Sequence, residues 1–143
     1  MKTFIPKLDS VERKWYVIDV DGKILGRQAA RIARMLMGKT KPVYTPNFDL
    51  GDFVVIVNAD KVRLSGKKEE MKTYYRYTGY PGGLRETSFA RYIKQRPEEL
   101  FRKAVWGMLP KGRLGRQMIK KLKVYRGAEH EHQAQQPERI ELF

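Results

Sequence analysis

The chain has 143 residues, 41% of them hydrophobic, which suits one packed domain and is short for two. Its 30 Lys and Arg against 16 Asp and Glu leave a net charge of +14, a self-repulsion that a polyanion would relieve. No cysteine is present, so disulfides and thiolate chemistry are excluded, and no apolar stretch is long enough to cross a bilayer. The opening "MKTFIPKLDS" has no signal-peptide pattern. A nucleic acid is therefore the expected polyanion, ahead of a membrane surface.

Residues 1 to 14, with Pro6, read as an arm with little structure of its own. "WYVIDV", Trp15 to Val20, is β-branched and aromatic and predicts a buried strand ended by Asp21 and Gly22. From Ile24 to Gly38 the spacing becomes helical. Leu25, Ala29, Ile32, Ala33 and Leu36 share one side, Arg27, Arg31 and Arg34 lie opposite, and Gly38 stands where a C-terminal cap belongs. "FVVIVN", Phe53 to Asn58, is apolar throughout and predicts a strand covered on both faces. Strand, helix and strand make a βαβ unit, expected to be right-handed.

Further along, "KVRLSG" predicts one more short strand, and "KTYYRYTGYPGGLRETS" a hairpin or long loop around a glycine-proline turn. Thr87 or Ser88 can cap a short helix through about Ile93. Pro97 opens another, with Glu98 and Glu99 at its positive end and Leu100, Phe101, Ala104, Val105 and Met108 on one face. A third short helix near Leu114 to Lys121 leads into "LKVY", a final strand. The polar tail "GAEHEHQAQQPERIELF" is expected to cross the surface. Residues 1–143 thus read as a single domain, with an arm at about 1–14 and a surface tail at about 128–143.

Nucleotide-site patterns fail on spacing. The glycines of "DGKILGR" sit at 22 and 26 without the GxGxxG order. "GKT" at 38 to 40 would need a glycine where Ala33 stands, and it lies at the end of a helix, whereas phosphate cradles use the start of one. No cofactor is expected. His130 and His132 alternate with Glu129 and Glu131 and could form a metal site on paper, but a solvated tail explains them better, and no metal is assigned. No acid pair or nucleophile-base set stands out, so no catalytic residue, enzyme activity or small-molecule substrate is assigned.

The basic residues carry more. Arg27, Arg31 and Arg34 form a helix face without the glutamates that usually alternate with bases, and each guanidinium is a fork suited to phosphate. "KTYYRYTGYPGG" interleaves Lys72 and Arg76 with Tyr74, Tyr75, Tyr77 and Tyr80, rings that can stack on unpaired bases or cover the core. The run from Leu100 to Ala128 contains no acidic residue. Its apolar residues anchor both flanks of "LPKGRLGRQ", so Lys111, Arg113 and Arg116 are displayed from a fixed support.

At these residues the chain resembles a known family, the bacterial large-subunit ribosomal proteins numbered thirteen. The resemblance runs from about Trp15 to Glu138. It is carried by "VWGMLPKGRLGRQMIKKLKVYRG", "DGKILGR", "GKTKPVYTPNFDLGDFVVIVNADKV", "YYRYTGYPGGL" and "HQAQQPE". One departure is Glu131, where many relatives have a proline. The resemblance implies a three-layer α/β/α domain with a four-stranded, mostly parallel sheet, similar to nucleotide-binding folds but without their site. It implies a structural protein of the large ribosomal subunit in the cytoplasm. Such a protein binds large-subunit (23S) ribosomal RNA, meets neighbouring ribosomal proteins, helps early assembly and supports translation. Membrane association is not implied. With the resemblance, the expected RNA contacts are Arg27, Arg31, Arg34, Lys39, Lys41, Lys67, Lys68, Lys72, Tyr74, Tyr75, Arg76, Tyr80, Lys111, Arg113, Arg116, Lys120, Lys121, Lys123 and Arg126. The rivals are an enzyme acting on a nucleotide or RNA and a sequence-specific DNA-binding regulator. Neither has its motif here.

Overall fold

The structure, a computed structural model, describes residue 2 and residues 4–142. Met1 and Thr3 of the expected arm and Phe143 of the expected tail lie outside the described residues. The arm holds one 3-10 turn, Leu8–Ser10. Beyond it, β1 (Trp15–Asp19) and β2 (Phe53–Val57) pair in parallel, with Trp15 opposite Phe53 and Asp19 opposite Val57.

Between these strands runs α1 (Leu25–Met37), and the five apolar positions read from its spacing are all buried. It ends at Gly38, whose φ of 81° is the left-handed cap conformation that a side chain would penalise. The Gly38 N–H donates to the Met35 carbonyl and the Lys39 N–H to that of Arg34, each at 3.0 Å.

"KVRLSG" does not form the expected strand. After a 3-10 turn, Ala59–Lys61, Arg63 makes one parallel bridge to Ile24. Residue 25 already begins α1, so no extended partner remains with which to continue a ladder. A short α2 (Lys68–Met71) follows, then β3 (Thr73–Tyr77) and β4 (Leu84–Ser88) as an antiparallel hairpin separate from the main sheet.

The last helices are α3 (Phe89–Gln95), α4 (Pro97–Trp106) and α5 (Arg113–Lys120). Ser88 occupies the cap position of α3 without a side-chain bond to the helix. In α4, Pro97 and the two glutamates stand in the first turn as expected. Met108 departs from the expected apolar face, because the helix ends at Trp106 and leaves it 42% exposed.

The fold is α/β. The main sheet has four strands in the order β5-β2-β1-β6, all parallel, where β5 is Leu122–Val124 and β6 is Glu138–Ile140. Ile18, Val54 and Ile56 on one face pack in one core with Ile32, Leu36, Leu100, Phe101, Val105 and Met118 of α1, α4 and α5. Val17, Val55 and Val57 on the other face are covered by Trp15 and Tyr125. Part of that second cover, Tyr125, comes from the chain after β5. Tyr125 Oη and His132 Nε2 are hydrogen-bonded at 2.8 Å, and the His132 ring lies 5.1 Å from Trp15, which stacks on Phe53.

The tail therefore does more than cross the surface. β5 is not the final strand, since Glu138 to Ile140 pair with Tyr16 to Ile18. A three-residue run reading Glu-Arg-Ile carries no alternation long enough to announce a strand.

Candidate nucleic-acid interface

The support for "LPKGRLGRQ" is built by close approach. A Cβ on Gly115 would lie 1.8 Å from the Pro110 carbonyl oxygen, so the turn before α5 rests directly on the helix backbone. Lys111 Nζ donates to the Trp106 carbonyl at 2.9 Å and sits 5.0 Å from the Trp106 ring centre. Gly115 and Met118 face inward, whereas Arg113, Arg116 and Lys120 are exposed. The helix is thus apolar toward the core and cationic toward solvent, and its charged side chains start from a fixed backbone.

Beside it, Arg116 joins Arg102, Lys103 and Glu99 around a groove floored by Trp106 and Ile119. Lys103 also lines the neighbouring cleft under the hairpin, where Arg76, Arg85 and Arg96 converge. The hairpin, α4 and α5 therefore carry one continuous cationic track, with Lys103 common to both hollows. Sequence reading singled out Arg76 and Arg116 at its ends and missed Arg85, Arg96, Arg102 and Lys103 between them. Arg85 was reachable: counting outward from the turn at Thr78–Gly83 pairs residue 84 with 77 and 85 with 76. Arg96 and Lys103 needed the packing of the α3–α4 pair beside the hairpin, and Arg102 that of α4 beside α5.

The tyrosines divide. Tyr75, Tyr77 and Tyr80 are 58%, 64% and 76% exposed and leave their rings free. Tyr74 is half-buried, meets Tyr92 edge-on at 5.3 Å, and has the ammoniums of Lys72 and Lys103 over its ring at 5.6 and 5.4 Å. Burial raises the phenol pKa of both Tyr74 and Tyr92. Tyr74, one of the expected RNA contacts, is thus packed within the protein on its ring faces while still lining the cleft under the hairpin. Its ring lies under the ammoniums of two lysines.

Two further expected contacts are engaged within the protein. Lys121 is only 4% exposed; its Nζ is paired with Asp49 and donates to the Leu36 carbonyl at 3.1 Å. It ties β5 to the end of α1 and has no free ammonium for a phosphate. Lys41 is likewise engaged, 2.7 Å from Asp52 Oδ1 and donating at 2.7 Å to the Glu12 carbonyl. By contrast Lys39, Lys67, Lys68, Lys72, Lys120 and Arg126 are exposed, and Lys123 is half-buried.

The α1 arginines do not join this track. Arg27 and Arg34 are exposed, but Arg31 is half-buried, and Arg31 and Arg34 line a separate hollow with Tyr16, Ile140 and Leu142. The Leu142 carbonyl accepts from Lys23 Nζ at 3.3 Å and from Gln28 Nε2 at 3.2 Å, which brings the tail against this helix.

Doubly wound α/β folds bind ligands at the carboxyl ends of their strands, and here the side chain that ends β1 is bonded within the protein. Asp19, the last residue of β1, accepts from Asn58 Nδ2 at 2.9 Å, from the Asp21 N–H at 3.0 Å and from Arg139 Nη2 at 3.2 Å. The histidines are also in use: His130 Nδ1 accepts from the His132 N–H at 3.2 Å. Among the described residues no cluster of His and carboxylates has the arrangement of a metal site, and no helix is long and apolar enough to cross a membrane.

Fold and surface together define a class, the small α/β scaffold whose rigid core fixes cations along one side. Similarity to known proteins makes the assignment specific. The profile of the family described as Ribosomal protein L13 matches residues 13–131, and the chain belongs to that family. It is 60% identical over 142 residues to "Large ribosomal subunit protein uL13" of Caldanaerobacter subterraneus subsp. tengcongensis, covering 99% of both chains. It is 57% identical over 143 residues to the protein of the same name from Alkaliphilus oremlandii, covering 100% of both. With that of Rubrobacter xylanophilus it shares 57% over 142 residues, 99% of each.

Proposed function

We propose that this protein is a structural constituent of the large ribosomal subunit. It binds large-subunit (23S) ribosomal RNA, helps early subunit assembly, and works in the cytoplasm within the ribosome, beside neighbouring ribosomal proteins. The observation that carries this reading is the cationic track running from the hairpin over α4 to α5, mounted on a buried apolar core. Family membership over nearly the whole length supports it. Cations neutralise phosphates and release their counterions, while the fixed backbone sets register along the RNA.

Alanine in place of both Arg113 and Arg116 tests this. The two side chains are exposed, so the fold and melting temperature should be kept. Affinity for a 23S ribosomal RNA fragment should fall, and the slope of log K against log salt should flatten by roughly 0.7–0.9 for each phosphate no longer neutralised. Unchanged affinity at matched salt would remove α5 from the interface.

A further inference from the structure

We infer that the cleft between the β3–β4 hairpin and the α3–α4 pair is a clamp for the phosphodiester backbone of RNA, closed by Arg76, Arg85, Arg96 and Lys103. Arg85, Arg96 and Lys103 are thereby assigned as RNA-binding residues. The inference deepens the ribosomal RNA reading above and rests on it.

The first support is a conflict within the hairpin. Arg76 stands directly opposite Arg85 in the antiparallel register, where side chains come close and like charges oppose pairing. Neither has a carboxylate partner among the described residues. Both line the cleft, so the repulsion is focused on the space a ligand would fill. An anion between the two guanidiniums would turn it into attraction, with fork-shaped donors on either side.

The opposite wall supplies two more cations. Lys103 is held over Tyr74, while Arg96 Nη1 is braced on Glu99 at 3.1 and 3.3 Å. No carboxylate lines the hollow itself; its remaining residues are Tyr74, Tyr75, Thr78, Thr87, Tyr92 and Gln95. Neutral hydroxyls and an amide among four cations suit the oxygens of a phosphodiester and the hydroxyls of a ribose. What favours a polynucleotide over free phosphate is the neighbourhood. Tyr75, Tyr77 and Tyr80 stand exposed along the same hairpin, free to meet sugars or bases, and Lys103 continues the path into the α4–α5 groove.

The test uses the full chain and the variants Arg85→Gln, Arg85→Lys and Lys103→Gln. Binding to a 23S ribosomal RNA fragment is measured across a salt series, beside thermal melting of the free proteins. Arg85→Gln should weaken binding about tenfold or more, the equivalent of one charge-assisted hydrogen bond, and flatten the salt slope. Arg85→Lys should keep the slope but lose part of the affinity. The free Arg85→Gln protein should melt no lower than the parent, since a repulsive pair has been removed; a purely structural arginine would lower it.

Parent-like RNA affinity in both Gln variants at matched salt would overturn the clamp while leaving the ribosomal reading intact. A parent chain that fails to bind the RNA would overturn both. Inorganic phosphate alone, followed through the Arg76 and Arg85 Nε–H resonances, should bind only weakly. Tight phosphate binding without any RNA defect in Arg85→Gln would mark a free-anion site and also overturn the clamp.

Discussion

Lys121 shows how differently two residues of one type can be used. In a run of cations it looks like one more phosphate ligand, yet it is buried beside Asp49 while Lys120 next to it is exposed. Burial lowers the pKa of its ammonium against the opposing pull of Asp49. Lys121→Met is expected to cost about 3 kcal/mol, because it leaves the mostly buried carboxylate alone. Chemical denaturation should show that loss, and the double variant Lys121→Met/Asp49→Leu should recover most of it. RNA affinity of the folded protein should not change with Lys121. If it drops without loss of stability, the lysine touches RNA after all. The face of a residue in a short helix is hard to fix from sequence, and α5 has only eight residues. Lys121 lies just past its end, where the turn aims the side chain inward.

Among the elements, β6 was the least legible, and the hairpin stood between two readings. The tyrosines and glycine-proline turn of residues 72–88 suit a hairpin or a long loop, and the antiparallel pairing of β3 with β4 decides for the hairpin. β6 is three residues long and polar, and its stability depends on what it meets: the backbone of β1 and the Asp19–Arg139 pair. Partial burial pushes the Asp19 carboxyl up, but bonds from Asn58 and the Asp21 N–H, with the charges of Arg139 and Lys61, outweigh it. They hold the group below its ordinary 3.8. A carboxyl with a lower pKa folded than unfolded stabilises the fold above the unfolded value, and that contribution is lost as pH falls through the folded value. Denaturation midpoints should therefore fall as pH drops below about 3.8, with part of the fall absent in Asp19→Asn. Equal slopes in the two proteins would show that Asp19 gives β6 no pH-dependent hold.

At the scale of the molecule, the +14 charge sets two opposite responses to salt. Screening relieves self-repulsion in the free protein, so its melting temperature should rise as salt is added. The same salt weakens RNA binding by opposing counterion release. Melting and binding followed over one salt series should therefore move in opposite senses. A melting temperature that falls with added salt would mean that attractive ion pairs, such as Lys41–Asp52, outweigh repulsion in the isolated chain.

Sequence alone determined what rests on local order: the βαβ unit, the apolar stripe and glycine cap of α1, the glycine-proline turn after Tyr77, the start of α4, and the surplus of cations. Each is set by periodicity, turn chemistry or composition within a few residues, so neighbours along the chain suffice to read it. Its motifs also carried the family resemblance. Tertiary structure decided which cations are free. It buried Lys121, paired Lys41 with Asp52, set two lysines over Tyr74, turned Arg31 toward the tail, and drew Arg85, Arg96, Arg102 and Lys103 into the track. It also made a strand of Glu138 to Ile140. The physical reason is common to all of these: burial and charge pairing depend on groups distant in sequence, and only packing decides which of them meet.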